Sequence, residues 1–427
     1  MKRKMFFGII CLILVFNSFG KTDISFNGYY KSFMSVFCLP EEMSEMFDIN
    51  KSIGAVSNSI RFRAMINFNS HISLEAAYNI NPTVKSPVLF SSSNFFNTKL
   101  DSAYRLTDID DLLYPTKPDT NTNFGIYQNI DRLFLSIQTD FADISIGRQP
   151  ISWGSARFIN PTDILSPFTY NELDKEEKRG IDAIRIRMPI GDMGELDFGY
   201  VINEDMKIKT NAVFIRGKTQ LFDSDISVSL IKFYQNMMIG ADISGSIRGA
   251  GFWVEGAYVL SSIFGNSRIN EKEVKLKNYF RLSAGLEYNF SDKLYAFTEY
   301  HFNSLGENTP ANYLSITHTQ EFKEGAIYLA GKHYLNIGIT YTISPLMPLN
   351  GIIIYNLKDN SFILSPSIDY NIAQNIYVAI GGYFAIGKRA SVLPNLLQNV
   401  QKTPLIIPNS EFGFSPTILY SSFRIYF

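Results

Sequence analysis

Two cysteines, four histidines and two tryptophans are spread over 427 residues. Each scarcity excludes something. Cys11 falls in an apolar leader, too early and without a small residue before it to be an acylation site, which leaves Cys38 alone. No intramolecular disulfide scaffold is therefore expected, even in an oxidising compartment. His71, His301, His318 and His333 lack metal-ligand spacing, and no His-Glu-x-x-His or paired-cysteine motif is present, so neither a metal nor a cofactor is expected. No Gly-x-Ser-x-Gly elbow names a nucleophile, so no catalytic residues are assigned and enzymatic activity is not expected. Long apolar runs are missing as well. The stretch from Met5 to Phe16 is too short to span a bilayer, and no other reaches helical spanning length, which excludes a helical membrane protein.

Net charge is also small. Cleaving residues 1 to 20 removes Lys2, Arg3 and Lys4 and leaves 36 basic against 40 acidic residues. A slightly acidic chain is a poor polyanion binder, so no nucleic-acid partner is expected. The three basic residues, the apolar run and Ser18-Phe19-Gly20 read as a secretory signal peptide over 1–20, followed by a single domain over 21–427. No plug domain is expected ahead of it, which disfavours an energy-coupled receptor.

Aromatics are abundant, with 35 Phe and 24 Tyr, yet mean hydropathy is close to zero. An apolar outer face with aromatic girdles, offset by a polar lumen and polar loops, averages in this way. The tail shows the pattern at its plainest. Leu419, Phe423, Ile425 and Phe427 share one face of a period-two strand, and Tyr420, Ser422, Arg424 and Tyr426 share the other. The alternation recurs along the chain: Ile60, Phe62, Ala64 and Ile66 oppose Arg61 and Arg63, while Ile184 and Ile186 oppose Arg185 and Arg187. Phe280 to Phe290 alternates with Arg281, Ser283, Gly285, Glu287 and Asn289. Counting such segments predicts about eighteen strands. The connections give an independent check. Every second one is short (69–71, 140–142, 191–194, 222–225, 247–250, 291–293, 344–348 and 373–375), and the intervening set contains the long ones (40–57, 84–124, 154–182, 261–276, 304–330 and 387–413). Segregation by parity predicts an all-β chain: a transmembrane antiparallel β-barrel with short periplasmic turns, long external loops, and a last strand that pairs with the segment after Lys21.

The densest punctuation lies between Gly147 and Phe168, where three prolines, two glycines and Trp153 imply a fixed conformation. Its apolar residues need cover, which the lumen supplies. The loop either folds inward and narrows the pore, presenting Arg148, Arg157 or Asp163 to solute, or caps the rim with Arg148 paired to a neighbouring acid. The expected lumen carries Arg61, Arg63, Arg185, Arg187, Arg281 and Arg424 against Glu75, Asp197, Glu255, Glu287, Glu299 and Asp369. Such groups either set ion preference or pair to stiffen the wall. Arg61 and Arg63 with Arg185 and Arg187 make the strongest basic cluster, which would favour anionic or hydroxylated solutes. Asp108, Asp110 and Asp111 read as a solvated acidic turn rather than a calcium loop, since the Gly and distal Glu are missing.

The run Gly147 to Phe168, with Gly-Arg-Gln, Trp-Gly and Asn-Pro-Thr-Asp, resembles a segment of porin-like outer-membrane proteins related to the alginate-export barrels. Gly245 to Tyr258 with Glu255, Glu299-Tyr300, and Asn356 to Ser361 fit the same resemblance. It implies an eighteen-stranded barrel with an inward loop and a conduit role, but does not carry over alginate as substrate. The alternating, aromatic-ended tail, with Phe423, Ile425 and Phe427, likewise resembles the signal read by the barrel-assembly machinery of Gram-negative bacteria. Expected partners are thus outer-membrane lipid and lipopolysaccharide, that machinery, and a small solute. The expected role is a passive outer-membrane channel for small hydrophilic solutes. The alternative is a nonconducting barrel that binds surface polysaccharide or a partner through its external loops.

Overall fold

The computed structural model describes residues 22–427 apart from 48, 92–103, 107–111, 118–121, 168–171, 173, 205, 266, 270–271, 275–276, 324 and 394–404. The expected leader, the acidic triplet at 108–111 and Phe168 lie outside the described residues.

Eighteen strands form the wall. They are β1 (Asp23–Cys38), β2 (Ser52–Asn67), β3 (Ile72–Lys85), β4 (Phe124–Gln138), β5 (Asp143–Gln149), β6 (Ile181–Ile190), β7 (Gly194–Val201), β8 (Ala212–Leu221) and β9 (Ser224–Phe233), then β10 (Asn236–Ile247), β11 (Ala250–Leu260), β12 (Tyr279–Ser291), β13 (Leu294–Asn303), β14 (His333–Ser344), β15 (Met347–Asn356), β16 (Phe362–Ala373), β17 (Ile376–Ile386) and β18 (Thr417–Tyr426). Each pairs antiparallel with its neighbour in sequence. The first and last close the ring, from Tyr29 opposite Tyr426 to Cys38 opposite Thr417. A short strand, Leu112–Tyr114, adds only to the edge of β4.

Closure pairs the first strand with the last, so the backbone groups of the wall are satisfied by one another, as a bilayer core requires, and the stretch of β4 that extends beyond β5 is the edge that the short strand takes. The eight short connections expected from the sequence are all tight. Phe222 and Asp223, both at positive φ (51° and 56°), turn β8 into β9 in two residues, the handedness a twisted hairpin needs. The other end carries the long connections, among them 39–51, 86–123, 150–180, 261–278, 304–332 and 387–416.

Alternation sorts the residues as expected. Phe62, Ile184, Val228, Leu286, Ile339, Ile380 and Leu419 are exposed on the outer face, where lipid contact replaces water. Arg61, Asp197, Glu255, Arg281 and Glu299 are buried on the inner one. One irregularity matters to the lumen. Arg132 pairs with Ala77 and Ile130 with Tyr78, so Asp131 is an extra residue. This β-bulge breaks the alternation, and both Asp131 and Arg132 are buried.

Candidate functional site: a loop fastened across the lumen

The connection 150–180 leaves the rim and enters the barrel. Its first limb is held by carboxylates from the wall. Glu255, at mid-strand on β11 and fully buried, accepts from the amides of Ser155 (2.8 Å) and Ala156 (3.0 Å) on one oxygen. Its other oxygen takes the amide and hydroxyl of Thr162 (2.7 and 2.8 Å). Glu299 on β13, equally buried, accepts from the amides of Arg157 (2.8 Å), Phe158 (3.1 Å) and Ile159 (3.0 Å) and from the Trp253 indole (3.0 Å). Backbone amides converging on an anion form a nest. Hydrogen bonds to a charged acceptor are about twice as strong as neutral ones, and these counter part of the cost of burying two carboxylates.

Apolar packing completes that limb. Ile151, Trp153, Ile164 and Leu165 join a cluster with Ile181, Phe214, Ile231 and Met238 of the wall. Burying such side chains contributes about 1.5–3 kcal/mol each. Trp153 packs edge-on against Phe214 at 4.7 Å and donates to Asp197 at 3.1 Å. Ile159 joins a second cluster with Leu329 and Phe412, which come from the other long connections 304–332 and 387–416, and with Tyr334, Ile354 and Ile363 of the wall. Arg281 ties two loops together by donating to the carbonyls of Pro161 and Ala326.

The second limb is held by charge. Lys31 on β1, fully buried, pairs with Asp174 (3.0 Å) and Glu176 (2.7 Å). Glu176 also accepts from Arg424 (3.0 Å) and Tyr426 (2.6 Å) on β18. Burial works against its charge, but hydrogen bonds from Lys31, Tyr426 and Arg424 outweigh it and hold the carboxyl below its ordinary range. The bulged Asp131 accepts from Arg61 (2.9 Å), Arg132 (2.5 Å) and the Gly180 amide (3.0 Å). Arg132 continues to the Lys178 carbonyl at 2.5 Å. The two limbs are joined by Lys178 and Asp163 (2.5 Å), with Ser152 on the same oxygen at 3.0 Å. Burial pushes the Asp163 carboxyl up, against the pull of Lys178 and Ser152.

The basic residues singled out in the sequence are spread among acids rather than pooled. Arg63 pairs with Glu75 (2.9 Å), Arg185 with Asp197 (2.7 Å) and Arg187 with Asp143 (3.6 Å). Arg148 is forked onto Asp182 on the adjacent strand (2.9 and 3.0 Å) and donates to the Ile130 carbonyl, the rim pairing that was the second expectation for it. Of Arg148, Arg157 and Asp163, Arg157 alone stays open, with 48% of its side chain exposed. It is forked onto Glu287 (2.7 and 2.6 Å), stacked 5.3 Å over Trp253, with Tyr295 donating to the same carboxylate. Sequence reading did not single out Lys31, Asp131, Arg132, Asp174, Glu176 or Glu177 for the site. The adjacent charges Asp131-Arg132 in an otherwise alternating strand were the one signal available for a bulge. Among the described residues no group of three or more His, Cys, Asp or Glu is arranged to hold a metal ion.

No family model matches the chain, and no curated protein does. Solved structures do. The chain is similar to OccAB1 of Acinetobacter baumannii (TM-score 0.55, 8% identity, 95% of this chain and 96% of that chain covered). It is also similar to OccAB4 (0.54, 10%, 95% and 98%) and OccAB3 (0.53, 9%, 95% and 99%) of the same organism. At such identities the likeness is one of fold, and it extends over the whole closed barrel.

Proposed function

We propose that this protein is a passive outer-membrane channel for small hydrophilic solutes, with the loop 150–180 as its constriction. The observation that carries the reading is the pair of buried wall carboxylates, Glu255 and Glu299, that grip six backbone amides of one loop at mid-barrel. A loop that only capped the rim has no need of charged anchors halfway down the wall. Below them the lumen is polar, with Arg157, Glu287, Arg187 and Asp143 still partly exposed. Preorganised polar groups around a fixed constriction select by size and hydrogen bonding.

The anion preference expected from Arg61, Arg63, Arg185 and Arg187 draws little support, since each faces an acid. Kinship with the alginate-export barrels stays a reading of Gly147 to Phe168 and implies a conduit, not a substrate. Single-channel recording of the purified protein in planar bilayers tests the proposal, with small, steady conductance steps expected. Verified insertion without conductance would leave the second reading, a nonconducting barrel that presents its external loops to surface polysaccharide or a partner. The attachment of the loop to opposite walls is the observation that favours that alternative.

A further inference from the structure

One sector of the inner wall differs in chemistry from the rest. The four strands β14 to β17 contain no Lys, Arg or Glu, and Asp369 is their single acid. Every other wall strand carries at least one charged residue on its inward face, and the anchors of loop 150–180 lie on β1, β2, β4, β18, β7, β11, β12 and β13. The upper part of the uncharged sector is covered by the cluster of Ile159, Leu329 and Phe412. The lower part carries Gly338, Thr340, Asn350, Ser367 and Gly381 on the inward parity. Thr340 donates to Asn350 at 2.9 Å, Asn350 reaches Asp369 at 3.4 Å, and Tyr420 and Ser367 are hydrogen-bonded to each other.

Aromatic rings border this sector on both sides, and glycine explains their pose. A Cβ on Gly338 would sit inside the ring of Phe297 from β13, and one on Gly381 would collide with the ring of Tyr420 from β18. Each ring therefore lies against the wall across a glycine of the neighbouring strand, an arrangement that rescues inward glycines. Both rings are half-buried, so each keeps an uncovered part. Asn336, two residues above Gly338 on the same face, is fully buried and closes the strip at its upper end.

We infer that the uncharged inner wall of β14 to β17, between the rings of Phe297 and Tyr420 and below Asn336, is a binding strip for neutral, ring-shaped polyhydroxylated solutes of the monosaccharide class. A sugar ring offers an apolar face to an aromatic ring and hydroxyls that both donate and accept. The strip matches both demands and has almost no charge to order an ion. The inference deepens the channel reading and rests on it, but its test does not need conduction.

Glucose and gluconate, titrated separately into the detergent-solubilised full chain, are followed by saturation-transfer NMR, with ion conductance recorded in parallel. Glucose is expected to bind more tightly than gluconate. Phe297→Ala and Tyr420→Ala are each expected to weaken glucose binding about fivefold, the scale of a lost ring contact. Phe297→Tyr and Tyr420→Phe, which keep a ring over the glycine, should retain binding and show that loss in the alanine variants is not misfolding. A conducting protein that ignores glucose, or prefers gluconate, overturns the strip and leaves the channel standing. Glucose binding in a protein that never conducts overturns the channel and leaves the strip.

Discussion

Thr162 donates twice to one carboxylate oxygen of Glu255, from its amide at 2.7 Å and its hydroxyl at 2.8 Å, across 93 residues of sequence. The other oxygen of Glu255 takes Ser155 and Ala156, so four donors meet a side chain that must be all acceptor. Glu255→Gln keeps the shape and turns one acceptor into a donor facing donors. The loss is on the order of 3 kcal/mol for one mismatched, buried charged site. Expected outcomes are a higher and noisier unitary conductance in planar bilayers, and faster proteolysis between Ser152 and Ser166, with the barrel's resistance to unfolding in detergent nearly unchanged. An unaltered current would mean that this tether does not set the constriction.

Arg157 and Glu287 make a partly exposed ion pair on the inward loop, with 48% and 20% of their side chains accessible. Removing the cation leaves a partly exposed carboxylate on the inner wall with Tyr295 as its remaining donor. Arg157→Ser should move the reversal potential in a KCl gradient toward cation selectivity, and Glu287→Gln should move it the other way. Raising ionic strength should shrink both shifts, because partly exposed charges are screened within about 10 Å at 0.1 M salt.

Much of this architecture was legible in the sequence because a barrel writes its geometry into two simple signals. Period-two alternation gave the inward placement of Arg61, Glu255, Glu287 and Glu299, and the parity of loop lengths located all eight tight turns. What the inward groups bind was not legible. The partners of Glu255 and Glu299 are backbone amides, which carry no residue signature, and Arg61 meets Asp131 only because a bulge adds a residue to β4. Lys31 and Glu176 lie 145 positions apart and are joined by barrel closure and a descending loop limb. Whether the inward arginines set ion preference or paired with acids stayed open for the same reason: alternation assigns a face, not a partner.

Glu411, on the connection 387–416, accepts from Tyr334 (2.5 Å), the Ala330 amide (2.6 Å) and Asn356 (2.7 Å), and so joins two external loops to the rim. Desolvation raises its carboxyl to about 7, against the pull of Tyr334, Ala330 and Asn356. For an acid whose folded pKa is raised, the proton stabilises the folded arrangement. That contribution is present in full below the unfolded value near 4.3 and is lost as pH rises through about 7. Hydrogen exchange at residues 327–331, corrected for intrinsic rates, should therefore be slower at pH 6 than at pH 8. Glu411→Gln should flatten the difference, and a dependence of opposite sign would contradict the assignment.

Phe427 closes the barrel with its backbone as well as its ring. Its amide donates to the Gly28 carbonyl at 3.0 Å and its carbonyl accepts from the Gly28 amide at 2.7 Å, while the ring stands 6.4 Å from Phe62. These two contributions separate by substitution. Deleting Phe427 removes both backbone bonds at the seam, whereas Phe427→Ala keeps them and removes only the aromatic end. If the seam bonds decide folding, only the deletion should lower the yield of heat-modifiable barrel on gels. If the ring is what the assembly machinery reads in cells, both variants should fail there, and Phe427→Ala alone should recover when refolded from urea into detergent. The expectation is the second pattern, with any barrel that does form showing unchanged unitary conductance, because Phe427 lies at the end of β18, away from the loop anchors on Glu255 and Glu299.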